Sequence, residues 1–302
     1  LFFSMESSLG KRTWATPIGI KFIYCFLVML LPTILMGLTF PLVSKIYVDM
    51  KKLGSHLGNI YSVNTFGGIL GSLIAGFVII PMWGSHRSIV AIAILNVIIG
   101  SILILITPEI KRRWKLSILI LSGAAIAVVM VLLPIDSKGY SVTNRIKWGK
   151  SIYYREGLTN TIEVIQRDRA VRDLFIDGEL NASTSVGGIL VHRMMAQIPL
   201  MLHPDPHSIY LVGLGSGMTA GAALPMDSIN TIACAELSSD IVDADSFFIQ
   251  WNHNILNSDR FKLQIEDGRI ALLTDKNKYD VMVTGIIHPK YNPGNAGLYS
   301  RD

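Results

Sequence analysis

Cysteine is scarce, with two residues in 302. That excludes a disulfide framework and a thiolate metal set. Cys25 lies in an apolar run and Cys234 in a predicted strand, and both read as small buried apolar residues. Seven histidines are scattered, with no pair four apart on one helix, so no metal site is expected. Acid is missing from the front. Before residue 135 there are 3 Asp and Glu against 11 Lys and Arg, and after it 19 against 16. The front therefore carries +8 and the back −3. The sequence pI near 9.1 comes from the front and reflects cationic membrane flanks rather than a nucleic-acid surface.

Long apolar runs are missing after Pro134, yet the whole chain is 50% hydrophobic with mean hydropathy +0.45. The excess is concentrated in four runs, 22–43, 60–82, 89–107 and 116–133. Each is near the roughly 20 residues that cross a bilayer, and each is bounded by charge or turn signals. They predict a multispan α-helical membrane domain over 1–135, in contact with the lipid bilayer. No Asp, Glu, Lys or Arg lies inside any run, so nothing marks a proton or ion relay. The second run holds Gly67, Gly68, Gly71, Ser72, Ala75 and Gly76, a spacing expected to let helices pack closely in lipid. Asn64 and Asn96 are expected to form interhelical hydrogen bonds. An even number of spans puts both ends on one face. The flanking positive charges, eight against seven, leave the orientation open.

From residue 136 to 302 the pattern becomes α/β. Residues 150–182 alternate as short strands, with a turn at Asp177 and Gly178, and predict a small antiparallel β unit. A helix is expected over 188–202, with Met194, Met195 and Met201 in the core. The rest, about 188–302, predicts a Rossmann-like sheet. A strand from Ser208 runs into the Gly-Leu-Gly-Ser-Gly run at 213–217. A second ends on Glu236, and a third is followed by Glu266, Asp267 and Gly268. A fourth strand covers 279–284, and a helix is expected over 240–252. Parallel strands deliver their ends to one edge, where ligands bind. Gly213, Gly215 and Gly217 would let the backbone approach a ligand. An acid about 20 residues on suits a ribose diol, and a third polar tip can read a base. Together they point to an adenosine-type ligand. The chain opens without Met and stops before the sheet is completed, so it reads as a fragment at both ends.

These residues resemble the spermidine synthase family, in the form fused to a membrane domain. The resemblance rests on residues 154–157 (Tyr-Arg-Glu-Gly), Asp177, Gly178, His192, Pro199, the glycine run at 213–217, Glu236, Asp267, Gly268, Tyr279 and Asp280. In front it rests on Pro41, Gly58, Tyr61, Asn64, Gly71, Gly76 and Pro81. The resemblance implies decarboxylated S-adenosylmethionine as co-substrate. The glycine loop would lie against it, Glu236 on its ribose hydroxyls, Asp267 and Gly268 at its adenine, and Asn181 near its sulfur end. Where the family has an acidic Asp-x-x-Asp-Pro run, this chain has Gly285, His288 and Pro289. Where it has an acidic helix start, this chain has Gly187, Gly188 and Arg193. The carboxylates for a polycationic acceptor are absent there.

Three functions remain open at this stage. One is an aminopropyl transferase acting on an amine, with His288 as candidate base in place of a carboxylate. A second is a methyltransferase using S-adenosylmethionine on another acceptor. A third is a ligand-binding domain without catalysis, joined to a transporter-like membrane domain. The expected setting is an integral protein of a bacterial-type plasma membrane, with the back domain cytoplasmic and homo-oligomerisation left open. No nucleic-acid partner is expected.

Overall fold

The computed structural model describes residues 15–47, 53–108, 111–132, 149–167 and 171–285. His288 and Pro289 lie outside them. The chain divides into two compact units, Leu1–Leu73 and Ile74–Asp302.

The described residues of all four apolar runs lie on helices, except Thr107, which ends one. The first, α1 (Ala15–Tyr47), continues through Pro32 and Pro41. A proline removes one backbone donor and crowds the carbonyl four residues back. The next helix, α2 (Leu53–Ile74), passes through a π-helical turn, Ala75–Ile79, into α3 (Ile80–Trp83). Pro81 cannot donate to the preceding turn, and the wider turn lies just before it. Gly84, at φ +81°, then ends the helix, and α4 (Ser85–Ile106) begins at once. A 22-residue helix is about 33 Å long, close to the hydrocarbon thickness of a bilayer. The fifth helix, α5 (Arg112–Leu132), lies beside α4. Lys115 Nζ donates to the Leu105 carbonyl at 2.7 Å, a cation on the C-terminal end of α4.

Among the described residues, three stretches are long and apolar enough to cross a membrane: Phe22–Tyr47, Leu53–Trp83 and Ser85–Ile106. Several expectations change here. Cys25 is exposed, as are the residues around it on every side of α1. A Cβ at Gly67, Gly68 or Gly71 of α2, or at Gly76 of the π-helical turn, would meet nothing within 4 Å among the described residues of this chain. Among the described residues no interhelical hydrogen bond involves Asn64 or Asn96; besides Lys115, Ser101 and Ser122, 3.3 Å apart, link α4 to α5. Asn64 instead lines a cleft with Phe40, Tyr47 and Asn59.

The back half begins with an antiparallel meander: β1 (Lys150–Glu156), β2 (Thr161–Gln166), β3 (Arg172–Ile176) and β4 (Glu179–Ser183). Asp177 and Gly178, both at positive φ, make the turn between β3 and β4. Asp177 accepts from Thr161 N and Asn160 Nδ2, so its carboxylate is occupied in holding that turn. Then α6 (Val186–Leu202) crosses to the second sheet, capped by Ser185, whose hydroxyl accepts from Gly188 N. A Cβ at Gly188 would lie 2.2 Å from the Ser183 carbonyl oxygen, so α6 sits this close to β4 because position 188 is glycine.

The second sheet is parallel, in the order β7-β6-β5-β8, built from β5 (Ser208–Val212), β6 (Thr231–Glu236), β7 (Phe261–Ile265) and β8 (Val281–Thr284). The connections are α7 (Met218–Gly221) after β5 and α8 (Ser239–Asp245) after β6. The latter continues through a 3₁₀ turn, Ser246–Phe248, into α9 (Ile249–Asn252), and α10 (Gly268–Thr274) follows β7. The single helix expected over 240–252 is thus broken in two. Alternate side chains of the central strands go to opposite faces. Ile209, Leu211, Ile232 and Cys234 join Ala196, Leu200 and Phe248, together with Ile162, Val164 and Leu174 of the meander. Tyr210, Val212, Ala233 and Ala235 pack with Ala271 of α10 on the other face. Met194 and Met201 are exposed rather than in the core, since they lie on the outer face of α6.

Candidate functional site

The strand order reverses between β5 and β8, and the glycine run follows β5 at this point. In open parallel sheets such a crevice is where ligands bind. Gly213, Gly215 and Gly217 all have positive φ, +93°, +58° and +69°, which other residues adopt at a cost. The loop thus bends back over the strand ends. Gly213 N donates to the Ala235 carbonyl, and Gly285 N to the Val212 carbonyl, so the tips of β5, β6 and β8 are tied together.

Glu236 is buried at the tip of β6. Its Oε2 accepts from Leu214 N of the glycine loop at 2.8 Å, and its Oε1 from Ser238 N at 3.0 Å. A carboxylate has about four acceptor positions, so these bonds leave capacity for further donors. Glu266 N donates to the Glu236 carbonyl, which sets the two strand ends side by side. Asp267 caps α10, its Oδ1 accepting from Arg269 N and Ile270 N at 2.9 and 3.2 Å. Gly268 is the first residue of that helix, and the Glu266 side chain is exposed. Asn181, on β4, comes from the meander to the same loop: a Cβ at Gly215 would be 3.0 Å from its Oδ1. The fold therefore gathers Asn181, the three loop glycines and Glu236 at one sheet edge. Asp267 and Gly268 follow β7 at that same edge.

Other residues of the resemblance have structural work. Arg155 pairs with Asp240 and Asp243, each at 2.8 Å, joining β1 to α8. A Cβ at Gly157 would sit 1.9 Å from Asp240 Oδ2, which explains the glycine. Glu156 reaches the start of α4: its Oε2 accepts from Ser85 N at 2.7 Å, while Tyr154 donates its hydroxyl to Oε1 at 2.7 Å. Burial pushes the Glu156 carboxyl up, but the Ser85 and Tyr154 bonds and nearby His86 outweigh this and hold it below its ordinary range. Asp280 precedes β8 and accepts from His207 N, Ser208 N and Ser208 Oγ, so it sits at the opposite end of the sheet from the glycine loop. His192 Nδ1 lies 2.9 Å from Thr219 Oγ1, and burial lowers its pKa.

Sequence reasoning missed four residues. The hydroxyls of Ser216, in the loop, and Ser238, two residues past Glu236, are buried without a partner among the described residues. A buried polar atom left unpaired is costly, and both lie beside the loop, so they fit a ligand rich in hydroxyls and nitrogens. Asp245 and Asn252 are buried beneath the loop. Two consecutive polar residues with φ near +55°, His253 and Asn254, follow Asn252 and mark an abrupt end to α9. The Asn-His-Asn run was the available signal. Among the described residues no group of His, Cys, Asp and Glu could hold a metal ion.

Residues 189–301 match the spermine/spermidine synthase domain. The back half is thus similar to that domain, and the curated relatives it resembles are named polyamine aminopropyltransferases. One, from Bacillus subtilis, is 23% identical over 168 residues, covering 55% of this chain and 60% of its own length. The polyamine aminopropyltransferase 2 of Pseudomonas aeruginosa is 27% identical over 131 residues, covering 43% and 37%. The chain spans about 60% of the length of the Bacillus relatives it matches. Among solved structures, a spermidine synthase in complex with the transition-state analogue AdoDATO overlaps with TM-score 0.42 and 22% identity, over 45% of this chain and 48% of that one. The Thermotoga maritima spermidine synthase overlaps with TM-score 0.42 and 21% identity over the same shares.

Proposed function

We propose that the back domain binds an S-adenosyl compound over the glycine loop and transfers a group from it to an acceptor, and that the front helices anchor it in a lipid bilayer. The observation that carries this is the buried Glu236 carboxylate held against Leu214 N at the point where the strand order reverses. A nucleoside needs an acceptor for its ribose diol beside a backbone that can approach closely, and both are present. The family match supports aminopropyl transfer from decarboxylated S-adenosylmethionine as the reaction class. In that chemistry a neutral amine attacks the methylene beside a sulfonium, and a thioether leaves. Approach in line and removal of one proton are the main demands. Glu236, Asn181 and the loop would orient the donor. Asp267 and Gly268 would flank its adenine, and His288 would take the proton.

The acceptor is not a polycation in this reading. The first turn of α6 holds no acid, Gly188 has no room for a side chain, and Gly285 closes β8 beside Val212. A buried ammonium needs an opposite charge. A less cationic or lipid-borne amine suits both the site and the bilayer.

Titration of the full chain with S-adenosylmethionine and its decarboxylated form tests donor binding, and absence of binding by both would overturn it. Aminopropyl transfer to putrescine is expected to run about a hundred- to ten-thousand-fold below that of an ordinary spermidine synthase, because its second ammonium finds no carboxylate and an imidazole stands in for the carboxylate base. Comparable turnover would refute the acceptor reading. Alkaline carbonate extraction tests the anchor. Retention in the membrane pellet is expected, and release into the soluble fraction would refute it.

A further inference from the structure

The floor of the glycine loop is built from two buried side chains. Asn252 is 0% exposed and Asp245 1%. Asn252 Nδ2 donates to Asp245 Oδ1 at 2.9 Å and to the Ser216 carbonyl at 3.3 Å. Its Oδ1 accepts from Asn254 N at 2.9 Å. The fit from above is just as close. A Cβ at Gly217 would lie 2.3 Å from Asp245 Oδ1 and 3.0 Å from Asn252 Nδ2. A Cβ at Gly221, one helical turn on, would lie 2.1 Å from the Asn252 carbonyl oxygen. Gly217 and Gly221 are therefore glycines because Asp245 and Asn252 occupy the space beneath them. The left-handed pair His253 and Asn254 holds Asn252 at the height from which it reaches the loop.

We propose that Asp245 and Asn252 are positioning residues: together they lock the glycine loop from below in the shape that receives the S-adenosyl ligand, and ionisation of Asp245 loosens the lock. The ligand part rests on the proposed function; the lock itself does not. Among the described residues no cation pairs with Asp245. Arg155 is committed to Asp240 and Asp243 on the same helix. The titratable group facing Asp245 from the sheet is Cys234, a thiol that burial keeps protonated. Burial raises the Asp245 carboxyl to about 7, and the Asn252 bond only partly opposes this. A closed loop thus favours neutral Asp245, and an opened, hydrated one lets it ionise. Linkage sets the window. Opening becomes easier from the ordinary carboxylate range up to about pH 7 and levels off above it.

The test uses the full chain, with Asp245→Asn as the neutral isostere and Asn252→Ala as the broken lock. Amide hydrogen exchange of residues 213–218 is followed from pH 5 to 8.5, corrected for intrinsic rates. In the parent, protection should fall by up to about ten-fold per pH unit between pH 5 and 7 and then flatten. In Asp245→Asn it should be flat throughout, with the fold intact. In Asn252→Ala the loop should exchange at least about ten-fold faster at every pH. Affinity for S-adenosylmethionine at pH 7.5 should fall about ten-fold or more in Asn252→Ala. A pH profile unchanged by Asp245→Asn would overturn the lock even if Asn252→Ala fails to fold. If the parent binds neither S-adenosyl compound while the exchange behaves as expected, the lock stands and the ligand reading falls.

Discussion

The helices of the front and the sheet of the back use apolar residues in opposite ways. Among the described residues of α1 to α5, only Ser88 and Val90 are buried. In the back half Ile209, Leu211, Ile232 and Phe248 are all within 2% of full burial. The same side-chain types are thus hidden by protein in one region and left uncovered in the other. Glycine shows the same contrast. In α2 a Cβ at Gly67 or Gly71 would meet nothing, while one at Gly157, Gly188, Gly217 or Gly221 would fall within 2.3 Å of a neighbour's atom. The back half builds its own interior. The front half has surfaces suited to an apolar solvent, as the proposed bilayer would supply.

The largest effect that would break this comparison is a charge placed in each region. Leu211→Asp should prevent folding of the back domain, because an unpaired carboxylate cannot be buried in that core. Ile98→Asp, on α4, should cost about 2.5–3.5 kcal/mol of membrane insertion and leave the back domain folded. Protease resistance of the back domain and the membrane-inserted fraction read the two outcomes. Equal damage to the back domain would show that α4 is part of the same core.

Next comes the ligand edge. Glu236→Ala should weaken binding of an S-adenosyl ligand by roughly 1.5–3 kcal/mol, about ten- to a hundred-fold. Glu236→Gln should lose less, since its one amide oxygen can still accept from Leu214 N. Calorimetric titration separates them, and unchanged affinity in the alanine variant would remove Glu236 from the site.

Paired glycine substitutions should give a smaller contrast. Gly188→Ala is expected to destabilise by roughly 1–3 kcal/mol through overpacking against Ser183. Gly71→Ala should be neutral or stabilising by up to about 1 kcal/mol, since alanine favours the helix. Thermal unfolding in detergent checks both. A costly Gly71→Ala would show that this face is packed after all.

The smallest expected effect concerns Glu156, whose bond to Ser85 joins β1 to the start of α4. Its carboxyl is held below its ordinary value in the fold, so its contribution is present above the unfolded value and is lost as pH falls through the folded one. Glu156→Gln should cost about 0.5–1.5 kcal/mol at pH 7, reduced by solvent screening, and nothing in strong acid. A stability gap that persists at low pH would mean that the contact is not electrostatic.

Much of the fold was legible because its signals are local. Bilayer-length apolar runs, alternating strands and the Gly-Leu-Gly-Ser-Gly run declare themselves within a few residues of chain. Helix breaks were less legible. The interruption of 240–252 into α8 and α9 depends on Phe248 turning into the core, which no short window reveals. Met195 of α6 packs against the core as expected, but Met194 and Met201 were misplaced, because an apolar helix does not say which of its faces is covered.

The order of elements, the placement of Glu236 and Asp267 after adjacent strands, and the reason for three glycines in one loop were all determined by the sequence itself. They follow from period, strand direction and backbone freedom. Tertiary structure alone decided that Asn181 reaches the loop from another sheet. It alone made Gly188 a contact rather than a missing acid, and put Asp280 at the far end of the sheet. It also alone placed Asp245 and Asn252 beneath Gly217. These are distances between segments remote in sequence, and such distances exist only once a shared core has fixed the segments against one another.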